Sequence, residues 1–508
     1  MSFTVKNNKR PEYDWELQDI ADYVLKERLF SPEAMETARY CLMDTLGCGL
    51  LALQVPECTR HLGPVVPDTL VPCGSRVPGT DFRLDPVKAA WDIGCMIRWL
   101  DFNDTWLAAE WGHPSDNLGG ILAVADYLSQ QRVNKGQEPL TMKTVLRCMV
   151  MAHEIQGCLA LENAFNRVGL DHVVLVKVAS TAVVARLLGA NRDQMLSALS
   201  HAWVDGQSLR TYRHAPNTGS RKSWAAGDAT ARAVQLAMIA MRGEIGIPGV
   251  LSAPQWGFYD VSFSKTNPCP EEKLSTQGKK TKGTRTEQQI EFSFQREYSS
   301  YVMENILFKI SFPAEFHGQT ACEAAVTLHG EIKGKTDQID RIVITTHESA
   351  IRIIAKEGPL DNPADRDHCL QYMVAVVLLW GNLTADRYET SFHQDHPEIE
   401  NLRNKMVIEE SLTFSKDYLD PQKRSIPNAL QVFFMDGSST SKVTVEYPLG
   451  HRRRRKEGIP LLKEKFRNNL KSRFTDSYSQ QLIRLFDDQK RLEALPVTHF
   501  MEQFTGQA

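Results

Sequence analysis

The densest group of chemically capable side chains lies between residues 101 and 116. Asp101-Phe-Asn-Asp-Thr-Trp106 is followed by Glu110-Trp-Gly-His-Pro-Ser-Asp116, which together supply carboxylates, hydroxyls and the imidazole of His113. The preceding segment, residues 86–100, is largely apolar and predicts a buried helix. Charge at the end of a buried helix is costly unless it is paired, so this cluster needs protein partners or a ligand. The alternative is structural, with the aspartates capping a helix and Thr105 closing a turn.

A second polar group lies between residues 205 and 228, around a Pro-Asn-Thr-Gly turn. Its basic residues are Arg210, Arg213, His214, Arg221 and Lys222. They lie between two apolar helical patterns, which favours a cleft over an outer face. Arginine and lysine are the residues that a polycarboxylate substrate requires. A solvated surface turn is the alternative.

Composition excludes several classes of protein. The chain has 59 basic and 62 acidic residues and a formal charge of -3, which gives no sign of a nucleic-acid partner. Its ten cysteines are scattered without a C-x-x-C pair, which predicts free thiols and disfavours an iron–sulfur cluster. At 508 residues the chain is long enough for two domains. Because the net charge is slightly negative, any affinity for an acidic substrate must come from a local group of basic side chains.

The cellular address is predicted from two negative features of the sequence. Residues 1–15 lack an apolar signal core and are not convincing as a transit peptide. No uninterrupted apolar stretch reaches the roughly 20 residues that span a bilayer. We expect a cytosolic protein without a membrane partner, and the mitochondrial matrix is the alternative.

The elements that must position these residues are mostly helices. Ser31-Pro32-Glu33 provides an N-cap and a first-turn proline for a helix that extends to about Leu53. Further helices are predicted at about 86–100, 118–131, 141–165, 173–189, 192–204 and 224–242. Several are apolar on all sides, which is typical of interior helices in a large bundle.

The pattern changes in the last third of the chain. Residues 338–347 predict a strand, and residues 429–447 predict a hairpin around Asp436-Gly437. Helical signals return at residues 459–469. We therefore predict a mainly α fold with an α+β lid: a helical domain at 1–300, the lid at 301–450, and a return to the helical domain at 451–508.

Two polar segments stand apart from these elements. Residues 264–289 contain one aliphatic residue in twenty-six, which predicts a flexible insertion within the helical domain. A partner-binding or regulatory role for it is the alternative. The run His451-Arg-Arg-Arg-Arg-Lys456 is interpreted as a solvated turn rather than a nucleic-acid patch, since the surrounding sequence has no basic excess.

Long blocks of the sequence resemble the MmgE/PrpD family. The matching blocks include residues 41–49, 97–106, 152–157, 167–173, 208–228, 301–317, 362–372 and 446–451, so they span almost the whole chain. Within the family, the blocks are most similar to those of enzymes that dehydrate 2-methylcitrate. The resemblance implies a helical domain with a lid, a homodimer, a small tricarboxylate substrate and no cofactor or metal.

Removal of water from a citrate-type molecule needs a base, an acid and cations that hold carboxylates. Asp101, Thr105, His113, His172 and Lys222 match site positions of the related cis-aconitate decarboxylases. We expect Asp101, His113, His172 and Lys222 to be catalytic. The residues expected to bind substrate are Thr105, Arg210, Arg213, Arg221, Lys309, His317 and Tyr372.

Other interpretations remain open. The same chemistry could act on a longer alkylcitrate in secondary metabolism, in place of 2-methylcitrate in propionate breakdown. Decarboxylation is disfavoured because Glu315 stands where the decarboxylases carry a histidine. A catalytically silent binding protein is the alternative from another class. His153-Glu154 lacks the second histidine of a zinc protease motif, so His153 is expected to be an ordinary hydrogen-bonded helix residue.

Overall fold

A computed structural model describes residues 9–206, 208–214, 216–263 and 291–505. The chain folds into a helical body and a smaller lid. The body consists of α1 Trp15–Leu25, α2 Pro32–Ala52, α3 Pro56–Thr59, α4 Pro86–Arg98, α5 Leu118–Asn134, α6 Met142–Glu162, α7 Val173–Leu187, α8 Arg192–Val204, α9 Arg221–Met241 and α10 Tyr301–Asn305. It also includes the C-terminal helices, which return to it after the lid.

The caps of these helices follow from local sequence. The Ser31 hydroxyl accepts a hydrogen bond from the Ala34 amide at 3.0 Å, with Pro32 in the first turn of α2. Asp85 caps α4 in the same way, accepting from the amides of Val87 and Lys88. Such caps satisfy amides that have no partner inside the helix. They fix where α4 begins, and α4 ends next to the first polar cluster.

The core of the body is made by helices that are buried on most sides. In α7 the described apolar side chains of residues 173–185 are all buried, as expected for an interior helix. The same core contains apolar residues from Leu17 to Ile310 and from Leu462 to Phe504. The two ends of the chain therefore share one core.

The lid has a second core and the larger of the described sheets. Its helices are α11 Gln319–Ile332, α12 Glu348–Ile354, α13 Pro363–Arg366, α14 Leu370–Trp380, α15 Thr390–Asp395, α16 Glu398–Arg403 and α17 Leu412–Leu419. The chain then re-enters the body through α18 Arg455–Leu470, α19 Asp476–Leu485, α20 Gln489–Ala494 and α21 Val497–Glu502.

The described strands form two short pairs in the body and one four-stranded sheet in the lid. They are β1 Ser75–Arg76, β2 Arg83–Leu84, β3 Trp106–Leu107, β4 Trp111–Gly112, β5 Ile339–Thr346, β6 Met406–Glu410, β7 Asn428–Phe434 and β8 Val443–Val445. In the lid the order is β6-β5-β7-β8, with β5 parallel to β6 and antiparallel to β7. Ile342, Ile344 and Val432 from this sheet are buried in the lid core.

The predicted fold class is confirmed, because helices form the body and an α+β unit forms the lid. Strand 338–347 and the hairpin around Asp436-Gly437 are also observed, as β5 and as β7 with β8. The predicted helix at 224–242 begins three residues earlier than expected, at Arg221, so Lys222 lies in its first turn. The short strand β6 was not predicted. The domain boundaries near residues 300 and 450 stay predictions.

Residues 264–289 lie outside the described residues, so the prediction of a flexible insertion there stays a prediction. Within the described ranges, we find no helix with the length and apolar composition that a membrane crossing requires. In the basic run, Arg452 and Arg453 are exposed, while Arg455 begins α18 and lies over the ring of Phe308.

Candidate active site

A narrow cavity lined mostly by polar and charged side chains lies where the body meets the lid. The expected site residues that line it are Asp101, Thr105, His113, His172, Arg210, Arg213 and Lys309. Arg98, Glu315 and His368 line it as well. Its free volume is about 30 Å³, the space of about two water molecules. The two polar clusters of the sequence therefore meet at one place, and the lid covers it.

Asp101 follows the end of α4 in an unusual backbone conformation. Its φ is 49°, a left-handed value that a residue other than glycine rarely adopts. The turn is closed by the Asp101 amide, which donates to the Arg98 carbonyl at 3.2 Å. Such a residue costs about 1–3 kcal/mol and persists only where its surroundings fix it. Here the surrounding cations provide that restraint.

Two cations hold the Asp101 carboxylate. Arg98 Nη1 donates to Oδ1 at 2.6 Å, and Lys309 Nζ donates to the same oxygen. Lys309 also donates to the Asp101 backbone carbonyl at 2.7 Å. Burial raises the pKa of Asp101, but the charges of Arg98 and Lys309 outweigh burial, so the pKa lies well below its usual value. Asp101 is therefore a fixed negative charge in the cavity.

His113 has a defined tautomer. Its Nδ1 lies 2.7 Å from the Asp104 carbonyl oxygen, which can only accept, so Nδ1 carries the proton. Its Nε2 then has a lone pair, 3.7 Å from Asp101 Oδ1. Burial, reinforced by the positive charge of Arg98, holds the pKa of His113 well below 6.5. At neutral pH the imidazole is uncharged and able to accept a proton at Nε2.

His172 faces His113 with a ring-centroid separation of 5.6 Å. Among the described residues, neither of its ring nitrogens has a hydrogen-bond partner, although the side chain is buried. Burial lowers the pKa of His172 well below 6.5. A buried histidine without partners is costly unless a ligand provides them. We interpret His172 as a group that hydrogen-bonds to a bound molecule.

The residues beneath His113 form a hydrogen-bonded support. His153 Nδ1 lies 2.8 Å from the Met149 carbonyl, and its Nε2 lies 2.9 Å from Asp104 Oδ2. The other carboxylate oxygen of Asp104 accepts from the Ser115 amide at 3.1 Å. The expectation that His153 is a satisfied helix histidine is confirmed. Because the Asp104 carbonyl orients His113, the contact between His153 and Asp104 also helps to hold the His113 ring in place.

Arginines line the opposite side of the cavity. Arg213 is engaged by Asp171, with Nη2 and Oδ1 3.1 Å apart. Arg210 is freer: its Nη1 lies 3.6 Å from Glu110 and 3.7 Å from Asp171, beyond hydrogen-bond distance. Its guanidinium lies over the face of Trp111 at 5.0 Å. Arg210 is therefore buried, charged and able to donate to an anion.

Lys222 connects the body to the lid. Its ammonium donates to the Asp367 carboxylate and to the Ala364 carbonyl, the latter at 3.2 Å. It also lies 3.1 Å from His368 Nδ1. His368 Nε2 in turn lies 3.9 Å from Asp101 Oδ2. Burial lowers the pKa of Lys222. Lys222 therefore does not line the cavity itself but contacts His368, which does.

Three residues expected to bind substrate do not line the cavity. Arg221 is partly exposed, lies over Trp224 and is 3.6 Å from Asp228, because the first turn of α9 points it away. Tyr372 donates to the Arg387 carbonyl at 2.8 Å in the lid core.

His317 is the third of these residues, and its buried side chain has protein partners at both ring nitrogens. Nδ1 lies 2.8 Å from Glu315 Oε1, and Nε2 lies 3.1 Å from the Tyr418 hydroxyl. Burial raises the pKa of Glu315, but His317 outweighs that effect and the pKa is lowered. Glu315 lines the cavity in place of His317. The carboxylate that distinguishes this chain from the decarboxylases therefore faces the cavity.

Two groups in the described residues could offer ligands to a metal ion. They are Cys41 with Asp104 and His153, and Asp101 with Asp367 and His368. The second group is already neutralised by Arg98, Lys309 and Lys222. A divalent cation there would face three fixed positive charges at close range. The first group forms the support beneath His113.

Arg98 is a cavity residue that the sequence prediction did not name. It is the last residue of α4 and lies three residues before Asp101, its ion-pair partner. That spacing was a usable signal. Asp367 is far from Lys222 in sequence, and no local sequence pattern predicts that the two form an ion pair.

Comparisons with known proteins match one family over nearly the whole chain. The MmgE/PrpD N-terminal domain model matches residues 18–271, and the C-terminal domain model matches residues 312–490. A protein of Escherichia coli (strain K12) named 2-methylcitrate dehydratase is 59% identical over 501 residues, covering 98% of this chain and 99% of the relative. One of the same name from Salmonella typhimurium is 60% identical, covering 99% of each chain. A Yarrowia lipolytica protein named 2-methylcitrate dehydratase, mitochondrial, is 55% identical and covers 95% of this chain and 89% of its own.

Proposed function

Because the chain belongs to the MmgE/PrpD family, we propose that it is a cofactor-independent hydro-lyase that dehydrates 2-methylcitrate to 2-methyl-cis-aconitate. The observation that carries the proposal is the cavity itself. It places the neutral imidazoles of His113 and His172 opposite each other, among the buried cations Arg210, Arg213 and Lys309. Relatives that match this chain over nearly their full length have the name of this activity.

The cations bind the substrate carboxylates. Arg210 has a buried N–H group without a hydrogen-bond partner among the described residues, so it can take one carboxylate directly. Lys309 and Arg98 share the Asp101 oxygen and can each offer a further proton to the ligand. When a proton leaves the carbon beside a carboxylate, negative charge moves onto the carboxylate oxygens. Fixed cations stabilise that charge without reorganising.

His113 is the base in this proposal. Its Nε2 lone pair takes the proton from the carbon, and the imidazolium that forms is stabilised by Asp101 at 3.7 Å. His172 donates a hydrogen bond from its unpaired N–H to the substrate hydroxyl. His113 then returns its proton to that hydroxyl as the C–O bond breaks. One C–H and one C–O bond are lost, one C=C bond forms, and water leaves.

The direct experiment compares three substrates with the purified protein. Citrate, 2-methylcitrate and a long-chain alkylcitrate are incubated separately, and the unsaturated product and CO₂ are both measured. We expect the highest kcat/KM for 2-methylcitrate, weaker activity with citrate and no CO₂. A clear preference for the long-chain substrate would replace the proposal with the alkylcitrate alternative. Production of CO₂ from cis-aconitate would replace it with decarboxylation.

We also propose that the reaction needs no metal ion. The acid, base and carboxylate-binding roles are all assigned to side chains of the cavity, so no step requires a Lewis acid. Prolonged treatment with a chelator, followed by desalting, should leave kcat and KM unchanged. Loss of turnover that returns when one divalent metal is added would contradict this assignment.

A homodimer is proposed from family membership. Sedimentation of the purified protein at several concentrations should give twice the chain mass of 57.4 kDa. A single species at the chain mass throughout would contradict it.

For cellular location, we propose the cytosol, with the mitochondrial matrix as the alternative that one relative's name suggests. Fractionation of cells that express the chain with a C-terminal tag would decide between the two compartments. Recovery in the mitochondrial fraction, protected from protease, would overturn the cytosolic assignment.

A further inference from the structure

A second cavity lies at the seam between body and lid, outside the site described above. Its volume is about 530 Å³, much larger than the 30 Å³ of the catalytic cavity. Its walls come from β3, from residues 295–307, from residues 418–426 and from residues 451–453. The basic run near residue 451 forms one wall, so part of this run faces a cavity.

The charged residues that line the seam cavity are all basic. They are Arg296, Lys423, Arg424, Arg452 and Arg453, and His451 lies beside them. No aspartate or glutamate is found among the described lining residues. Lys423 and Arg452 have carboxylate partners nearby, in Asp417 at 2.8 Å and Glu33 at 2.6 Å. The other three arginines of the cavity have no such carboxylate partner among the described residues.

Arg296, Arg424 and Arg453 have no ion-pair partner among the described residues. Arg424 donates to the Leu107 carbonyl and lies over the Trp106 ring at 4.2 Å. Arg453 donates to the Gln422 carbonyl at 2.7 Å. Arg296 lies over the Tyr301 ring at 3.6 Å. Each guanidinium has five N–H groups, so these contacts leave most of them available to an anion.

Independent features indicate that this positive charge is not balanced by the protein. Burial lowers the pKa of Arg424; Tyr301 and Tyr418 oppose that effect only in part, and the positive charge of Arg296 adds to it. Burial and then the charge of Arg453 lower the pKa of His451 to about 4. The hydroxyl of Ser425, which is fully buried and lines the cavity, has no hydrogen-bond partner among the described residues. An anion in the cavity would balance the charge, and a small rotation of Ser425 would let its hydroxyl donate to the same anion.

We propose that the seam cavity is a second binding site, for a compact and multiply charged oxyanion. Its ligand carries phosphate or carboxylate groups, which match arginine forks. Three aromatic side chains line its wall. Trp106 and Tyr418 are buried, and Arg296 lies over the Tyr301 ring, so the wall offers little open ring surface to stack a nucleotide base. The ligand is therefore a small polyanion and not a nucleotide held by its base.

The seam site is separate from the catalytic cavity but adjoins it. Leu107 lines both cavities, and its carbonyl accepts the hydrogen bond from Arg424. Leu107 pairs with Trp111 through β3 and β4, next to His113. The arginines of the two cavities are different, with Arg210 and Arg213 in one and Arg296 and Arg453 in the other. Variants can therefore distinguish the two sites.

The test is calorimetric titration of the full-length protein with inorganic pyrophosphate. Arg296→Gln and Arg453→Gln should each weaken binding at least tenfold, because each removes a charged donor. Both side chains are exposed at the rim, so the variants should fold, which unchanged melting would verify. Arg467→Gln removes the same charge from an exposed position of α18. It should change the affinity less than twofold.

A fourth variant separates the two cavities. Arg210→Gln alters the catalytic cavity and should leave pyrophosphate affinity within twofold. Titration of tricarballylate into Arg210→Gln, alone and combined with Arg453→Gln, shows whether the seam site takes carboxylates as well as phosphates.

Three results would overturn the proposal. They are no saturable pyrophosphate binding to the unaltered protein, an Arg210→Gln effect as large as that of Arg453→Gln, and equal effects of Arg453→Gln and Arg467→Gln.

Discussion

The two ring nitrogens of His113 face different surroundings, and that asymmetry defines its chemistry. Nδ1 is held by the Asp104 carbonyl at 2.7 Å, and Nε2 faces the cavity beside Asp101. The imidazole is therefore oriented before substrate arrives, which is where much of a positioned base's advantage comes from. Asp104 is itself fixed by His153 and the Ser115 amide.

Removal of the base or of the lysine at the lid should abolish most activity. His113→Ala and Lys222→Ala are each expected to lower kcat by about a hundredfold or more. The far-ultraviolet circular dichroism should stay unchanged in both. His499→Ala is the matched control, since His499 is exposed in α21. Near-normal rates in both site variants would contradict the site assignment.

The pH dependence follows from the direction of the histidine pKa shifts. Burial lowers the pKa of His113 and of His172 well below 6.5. Both rings are therefore neutral above that value, and His113 loses its ability to accept a proton only at lower pH. We expect kcat/KM to stay level from pH 8 down through about 6.5, the ordinary value, and to fall below it. A decline centred at or above that value, with the protein still folded, would contradict the proposed burial effect.

At the level of elements, three glycines let the helices that carry the site approach closely. A Cβ on Gly94 of α4 would lie 2.7 Å from the Gly227 Cα in α9. A Cβ on Gly227 would lie 2.4 Å from the Trp91 carbonyl oxygen, and one on Gly119 of α5 would lie 2.8 Å from the Ala90 carbonyl. These contacts are with backbone, which cannot move without shifting a helix. The crossing sets the distance between Asp101 and Lys222.

Substitution at this crossing should therefore destabilise the protein. Gly227→Ala is expected to lower the free energy of unfolding by about 1–3 kcal/mol, the usual cost of overpacking, and to reduce kcat because Lys222 moves. Gly330→Ala is the control, since no atom lies within 4 Å of its Cβ position in α11. It should be neutral or stabilise the protein by up to about 1 kcal/mol. Urea unfolding of both variants measures the difference, and equal stabilities would contradict the packing argument.

The sequence predicted the helices better than the short strands, for a physical reason. The apolar runs of α5, α6 and α7 have no strong period, but they are longer than ordinary strands, and that length predicts a helix. The strand β6 is short and lies at the edge of its sheet, and its partner β5 is more than sixty positions away in sequence. Such pairing depends on tertiary contacts that local propensity does not contain. The hairpin of β7 and β8 was predictable because its turn is local.

At the level of the whole molecule, the site is complete only when body and lid meet. Lys222 of the body pairs with Asp367 of the lid, and Glu315 and His368 of the lid line the cavity opposite the body residues. The sequence indicated most of the polar residues that gather here, because their types suit the chemistry. Arg221, His317 and Tyr372 do not line the cavity, and their assignment to the substrate stays a prediction. Their positions depend on packing in the lid and on the direction of a helical turn, which the sequence does not contain.

The cavity is narrow for a tricarboxylate. Its free volume of about 30 Å³ holds about two water molecules. We therefore expect the lid to move relative to the body when substrate enters, which would place the Lys222 ion pair with Asp367 at the moving boundary. Exclusion of water after closure strengthens the electrostatic contacts inside.

The composition of residues 264–289 indicates that they contribute to neither core, so we can predict the effect of removing them. The segment has one aliphatic residue in twenty-six, so it has little to bury on folding. Replacement by a short Gly-Ser link should leave the melting temperature and kcat/KM almost unchanged, because halving a loop alters closure entropy by only about 0.6 kcal/mol. A variant with the segment replaced by Gly-Ser repeats of equal length is the control for length. If turnover fell strongly in both variants while melting did not change, residues of the segment would act in closure or substrate choice; if only the shortened variant lost activity, length alone would matter for opening of the lid.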